Sequence, residues 1–275
     1  MELLDKAYNG LCDFIDQFAN STTGNDATPL RKENRRAWYA KWDENYLGDL
    51  LDNNFAKSIL RKIADSYYGK QLDELLEEAT ELTSDTYPLL YEIYAACCET
   101  LGMYTPPMAF VTGKMKGINA LSLEVKGKQL ILIGPKAAVG LSPEQQTFLL
   151  GHELGHHQQG NLVCHTVNGL LDTLNDASEI FGPLVLDTIE VPLKRWCRCS
   201  EFNADRAGYL CCKDTEAIRQ LFLRLGMKSD VSAYEDYLEV GFAHPLFNTR
   251  WEALKDYIEK EKYDKQQKNP HRSRP

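Results

Sequence analysis

Residues 147–159 read Thr-Phe-Leu-Leu-Gly-His-Glu-Leu-Gly-His-His-Gln-Gln and contain His152-Glu153-Leu154-Gly155-His156, an H-E-x-x-H run. On a helix, positions four apart lie one above the other on the same face. His152 and His156 can therefore present two imidazole nitrogens to one zinc ion. Glu153 stands one step round the helix, within reach of a water on the metal's open side. That is the arrangement of a metal-dependent hydrolase. The run alone is also compatible with a surface helix carrying chance histidines, so the reading requires a third ligand and a fold that supports it.

The third ligand is expected on a following helix. Glu201-Phe202-Asn203-Ala204-Asp205 is the best candidate. Glu201 completes a set of two histidines and one glutamate and leaves one coordination position for water. Asp205 lies one turn further on the same face, where it can accept a hydrogen bond from a ligand histidine. Glu179 is the rival ligand, but no carboxylate stands four residues after it.

These residues need elements to hold them. Ser142-Pro143-Glu144-Gln145 is a capping box with proline at the first helical position, which starts the motif helix. Gly160 is a plausible stop. Gly151 and Gly155 each cost about 1 kcal/mol against alanine inside a helix. Two such costs beside the histidines predict a neighbour packed very close to that backbone. Upstream, residues 85–101 form a helix ended by Gly102, and Met108 to Thr112 form a short strand. Leu121 to Lys126 alternates apolar and polar, which predicts a half-exposed strand. Gly127 marks a tight turn, and Gln129 to Ile133 is a continuous apolar strand expected at the sheet centre. Downstream, residues 161–193 read as two amphipathic helices lying on the protein.

The rest of the chain bounds the function. Of 275 residues, 43% are hydrophobic and 26% charged, ordinary values for a globular protein. The net charge of −9 argues against nucleic-acid binding. The N-terminus has no signal-like pattern, and no apolar run is long enough for a transmembrane helix. The eight cysteines include no C-x-x-C pair, and reduced thiols in a cytoplasmic protein are expected. Residues 1–84 read as a helical N-terminal prefix whose basic cluster, Arg31, Lys32, Arg35 and Arg36, is a solvated helix face. Residues 85–258 form the domain that carries the motifs. Residues 259–275 are a flexible charged tail.

Taken together, His152-Glu153-Leu154-Gly155-His156, then Glu201 to Asp205, then His244-Pro245 with Arg250, resemble zinc metallopeptidase family M48. That family includes the CAAX prenyl protease, the membrane protease HtpX and many soluble relatives. The resemblance runs roughly from Asp85 to Leu254. It implies a mainly helical α+β fold of the gluzincin type, with a small antiparallel or mixed sheet next to the H-E-x-x-H helix. It implies one zinc ion per chain on His152, His156 and Glu201, with Glu153 as the general base of a metalloendopeptidase acting on polypeptides. Asn119-Ala120 is similar to the edge strand on which gluzincins lay their substrate. His244 with Arg250 resembles the segment that faces the cleft and stabilises the oxyanion. The chain departs from the membrane members in lacking hydrophobic spans, so prenylated or membrane-embedded substrates do not follow from the resemblance. His157 and His165 have no place in the pattern and are read as structural. The competing reading is a zinc-stabilised module that binds polypeptide without cutting it.

Overall fold

Short apolar segments flanked by turn residues pair into one mixed sheet. In the computed structural model, β1 (Ala79–Glu81), β2 (Met108–Thr112), β3 (Ala120–Val125) and β4 (Lys128–Ile133) lie in the order β1-β2-β4-β3. The structure describes residues 76–159, 183–228 and 246–268, with the separate positions 61–62, 64–65, 72–74, 162 and 166. It describes the backbone alone for 183–196 and 263–268. The helices read in residues 1–60, and also Gly160, His165, Glu179 and His244, lie outside the described residues.

The apolar run of β4 takes the central position expected of it. It pairs parallel with β2 and antiparallel with β3. The β3–β4 turn is two residues long, with Lys126 at φ 51° and Gly127 at φ 70°. Both need the left-handed region, as a tight hairpin of this length does. One sheet face carries Ala109, Val111, Ile131 and Ile133 into the main core, and the other carries Leu123, Val125, Leu130 and Leu132 against Leu72.

β3 differs from its expected half exposure, because Ser122, Leu123, Glu124 and Val125 are all buried. The cause is a polar partner for each polar side chain. Ser122 meets the motif helix, and Glu124 pairs with Arg61 at 2.6 Å. The Glu124 N–H donates to Thr166 Oγ1 at 3.1 Å, and the Lys126 N–H donates to Asp65 at 2.5 Å. The edge of β3 is thus covered from Glu124 onward, while Asn119 and Leu121 stay exposed and Ala120 is half-buried.

Helix α1 (Pro88–Leu101) starts on proline and ends on Gly102 at φ 62°, whose N–H returns to Glu99 and Cys98. After the short α2 (Pro135–Val139), the motif helix α3 (Pro143–Gln158) carries the expected capping box in both directions. α3 is buried on nearly every face from Gln145 to His157. That suits a helix enclosed by neighbours rather than one lying on a surface. The chain continues through α4 (Pro183–Cys212), α5 (Thr215–Leu225) and α6 (Phe247–Lys268). The end of the amphipathic stretch read over residues 161–193 and the segment bearing Glu201 are one helix, which runs through Pro192. α6 continues ten residues into the charged stretch that begins at Glu259. No described helix is long and apolar enough to cross a membrane.

Candidate metal centre

The close approach predicted from the motif glycines is made by α4. A Cβ on Gly151 would lie 2.9 Å from Cys211 Sγ and 3.0 Å from Gly208 Cα. On Gly155 it would lie 2.8 Å from Ala207 Cβ and 3.0 Å from Ala204 Cα. Small residues on both helices therefore let the backbones nearly touch. Each helix then offers a pair of side chains four apart: His152 and His156 from α3, Glu201 and Asp205 from α4.

The two ligand sets converge. His152 Nε2 and His156 Nε2 are 3.1 Å apart. Glu201 turns one oxygen to each, at 3.5 Å from His152 and 3.4 Å from His156. All three donor atoms lie within 4.8 Å of one another, and all three residues are buried. The second nitrogens are also engaged. His152 Nδ1 donates to the Asp205 carboxylate at 3.0 Å, and His156 Nδ1 shares a hydrogen bond with Ser200 Oγ at 3.3 Å. The tautomer with the hydrogen on Nδ1 leaves the Nε2 lone pair of each ring pointing inward.

Asp205 is itself held by Arg250, at the start of α6. The guanidinium forks onto it, with Nε to Oδ2 at 2.8 Å and Nη2 to Oδ1 at 2.5 Å. Its third nitrogen, Nη1, lies 3.0 Å from Glu201 Oε2. The rings of Phe222 and Phe247 lie 5.4 and 4.9 Å from its carbon centre. Arg250 is therefore committed to two carboxylates of the frame.

Burial alone would favour the neutral forms of these groups, and the partners reverse it. Burial drives the His152 imidazolium down, but the hydrogen bond to Asp205 and the Glu201 charge hold it above the ordinary histidine value. Burial drives Asp205 up, but the Arg250 charge and hydrogen bonds keep it below the usual carboxylate range. Burial opposes the Arg250 charge, and Asp205 and Glu201 hold it protonated. Glu153, Glu201 and Asp205 are all buried, and Arg250 is the buried guanidinium facing them. Counted over these four described side chains with neutral imidazoles, the formal excess is two negative charges, which one divalent cation neutralises. Donor types, convergence and charge all fit a metal held by two histidines and one glutamate.

Glu153 is 5% exposed and sits on the sheet side of α3. The Ser122 hydroxyl reaches its main-chain oxygen at 3.1 Å and its Oε2 at 2.6 Å. Asn119 and Ala120 stand at the open start of the same strand. His157 is not one of the three converging donors. It is buried, neither ring nitrogen has a hydrogen-bond partner among the described residues, and burial pushes it down to about 3. Sequence reasoning missed Ser200 and Ser122. Ser200 directly precedes Glu201, and that adjacency was the one signal that pointed to it. Ser122 had only its polar place on the strand face it shares with Glu124.

Two comparisons bear on this geometry. The family model described as "Peptidase family M48" matches residues 95–258. The chain is also 25% identical over 175 residues to the Arabidopsis thaliana protein "Plastoglobule-localized metallopeptidase 48, chloroplastic". That match covers 63% of this chain and 49% of the relative, so the chain spans about half the relative's length.

Proposed function

This chain belongs to peptidase family M48, and from that premise we propose that it is a zinc-dependent metalloendopeptidase that hydrolyses peptide bonds of polypeptide substrates. The observation that carries the reading is the buried convergence of His152, His156 and Glu201, with Glu153 on the same helix. In this reading the three residues hold one zinc ion per chain. When bound, zinc supplies Lewis-acid polarisation of the scissile carbonyl and acidifies a water. Glu153 takes the proton from the attacking water and delivers it to the leaving amine. Asn119 and Ala120, at the uncovered start of β3, hold the substrate extended through main-chain hydrogen bonds. His244 donates to the oxyanion. Arg250 acts through Asp205 and Glu201, to which its nitrogens are committed.

The test is made on one set of preparations: the parent protein, His152→Ala and Glu153→Gln, each measured for zinc and for digestion of unfolded casein with and without chelator. The parent is expected to carry zinc and to produce fragments that chelation abolishes. His152→Ala loses most of the zinc. Glu153→Gln keeps the zinc and loses about 10²–10⁴-fold in rate, the usual contribution of a positioned base. A parent protein that binds casein stably and never cuts it would instead be a polypeptide-binding module.

A further inference from the structure

We propose that Ser122 is a positioning residue for Glu153, aiming its carboxylate by a hydrogen bond across the α3–β3 contact. The proposal rests on the peptidase reading above for its catalytic consequence, but the contact itself can be tested without catalysis.

The starting point is a polar residue where an apolar one would pack. Ser122 pairs with Ile131 in the β3–β4 register and is 4% exposed. On the same face, Ile131, Ile133, Ala109 and Val111 belong to the main core. A buried hydroxyl there costs free energy unless it finds an acceptor. Among the described residues it finds two, both of Glu153: the main-chain oxygen at 3.1 Å and Oε2 at 2.6 Å. The shorter contact falls in the range of a hydroxyl donating to a charged carboxylate.

Touching the backbone and the side chain of one residue has a geometric consequence. A glutamate side chain is long and flexible, and fixing it takes an anchor at its far end. The hydroxyl holds Oε2 relative to the helix that also carries His152 and His156. Oε1 accepts no hydrogen bond from a described residue, so it remains the oxygen available to move a proton. Base catalysis is sensitive to such placement, and losses grow quickly with misalignment.

The experiment compares the full-length parent, Ser122→Ala and Ser122→Thr for zinc content, kcat and KM on a peptide substrate. Ser122→Ala is expected to keep its zinc, to hold KM within about twofold, and to lose about 10–100-fold in kcat, the scale of one charge-assisted hydrogen bond. Ser122→Thr, which restores the hydroxyl on a side chain that suits a strand, recovers most of that loss. The readout that needs no catalysis is a thermal-melting cycle of the parent, Ser122→Ala, Glu153→Ala and the double variant. Non-additive shifts are expected, because the second substitution removes a partner already lost. Additive melting shifts, an unchanged kcat in Ser122→Ala, or loss of zinc from Ser122→Ala would each overturn the proposal. A parent protein that cuts nothing while the melting cycle shows coupling would reject the peptidase reading and leave the Ser122–Glu153 contact standing.

Discussion

His152 and His156 lie one turn apart on the same helix, against the same partner helix, yet they are supported by different chemistry. Behind His152 stands a carboxylate, Asp205, gripped in turn by the Arg250 guanidinium. Behind His156 stands a neutral hydroxyl, Ser200, at 3.3 Å. The difference follows from charge. Among the described residues, Glu153, Glu201 and Asp205 outnumber Arg250 by two formal charges, the amount that a divalent cation removes. A second supporting carboxylate would exceed that balance of the described side chains by one negative charge. A hydroxyl fixes the ring and adds no charge. The same logic applies to Glu153, whose carboxylate is anchored among the described residues by the Ser122 hydroxyl.

The largest effect is expected from removing the cation at the charged end. Arg250→Leu leaves Asp205 and Glu201 buried without their guanidinium, and breaking a buried pair in this way costs about 3–5 kcal/mol. Urea unfolding of the purified protein measures it. A loss below about 1 kcal/mol would mean that water reaches these carboxylates and that the two ends do not differ in the way described. Zinc should recover part of the loss, since Glu201, which would help to hold it, is also the carboxylate that Arg250 Nη1 meets at 3.0 Å.

Asp205→Ala comes next. It keeps the ring of His152 but removes the group that orients it, so metal affinity or turnover should fall roughly 10–100-fold. Competition for zinc against a chelator of known affinity reads this directly. An unchanged affinity would show that α4 packing alone orients His152.

Much of this arrangement was legible in the sequence because it is local or periodic. The capping box, the proline start and the two motif glycines each state a requirement of α3 within a few residues. The pairs His152/His156 and Glu201/Asp205 are spaced by one helical turn, so their shared faces follow from helix geometry. What was not legible depends on distant partners. The polar positions of β3 read as solvent-facing because alternation does not say which face is covered. Their burial depends on Glu153, Thr166 and Arg61, which are 31, 42 and 63 residues away. Helix α4 was read in two pieces, whereas the chain stays helical through Pro192. A proline removes one backbone donor from a helix, and the remaining bonds and the packing against α3 can outweigh that loss. Serines supporting a histidine or a buried glutamate give no pattern of their own, so Ser200 and Ser122 emerge only once the helices and the sheet are assembled.

The smallest effect is expected at the neutral end, and it separates orientation from charge. Ser200→Ala deletes one hydroxyl partner of His156. A neutral hydrogen bond contributes about 0.5–1.5 kcal/mol, so metal affinity should fall by about tenfold or less, below the loss at Asp205. Ser200→Asp supplies a stronger acceptor at the same position. If orientation were all that mattered, it would bind metal at least as well as the parent. If charge balance sets the choice, the added carboxylate is buried beside Glu201 and His156 with no cation assigned to it. The metal-free protein should then lose about 1–3 kcal/mol or more in urea unfolding, the cost of an unsatisfied buried group. Equal stability of Ser200→Asp and the parent would remove the charge argument. It would leave the asymmetry between the two histidines as a matter of which residues the α4 backbone happens to bring near each ring.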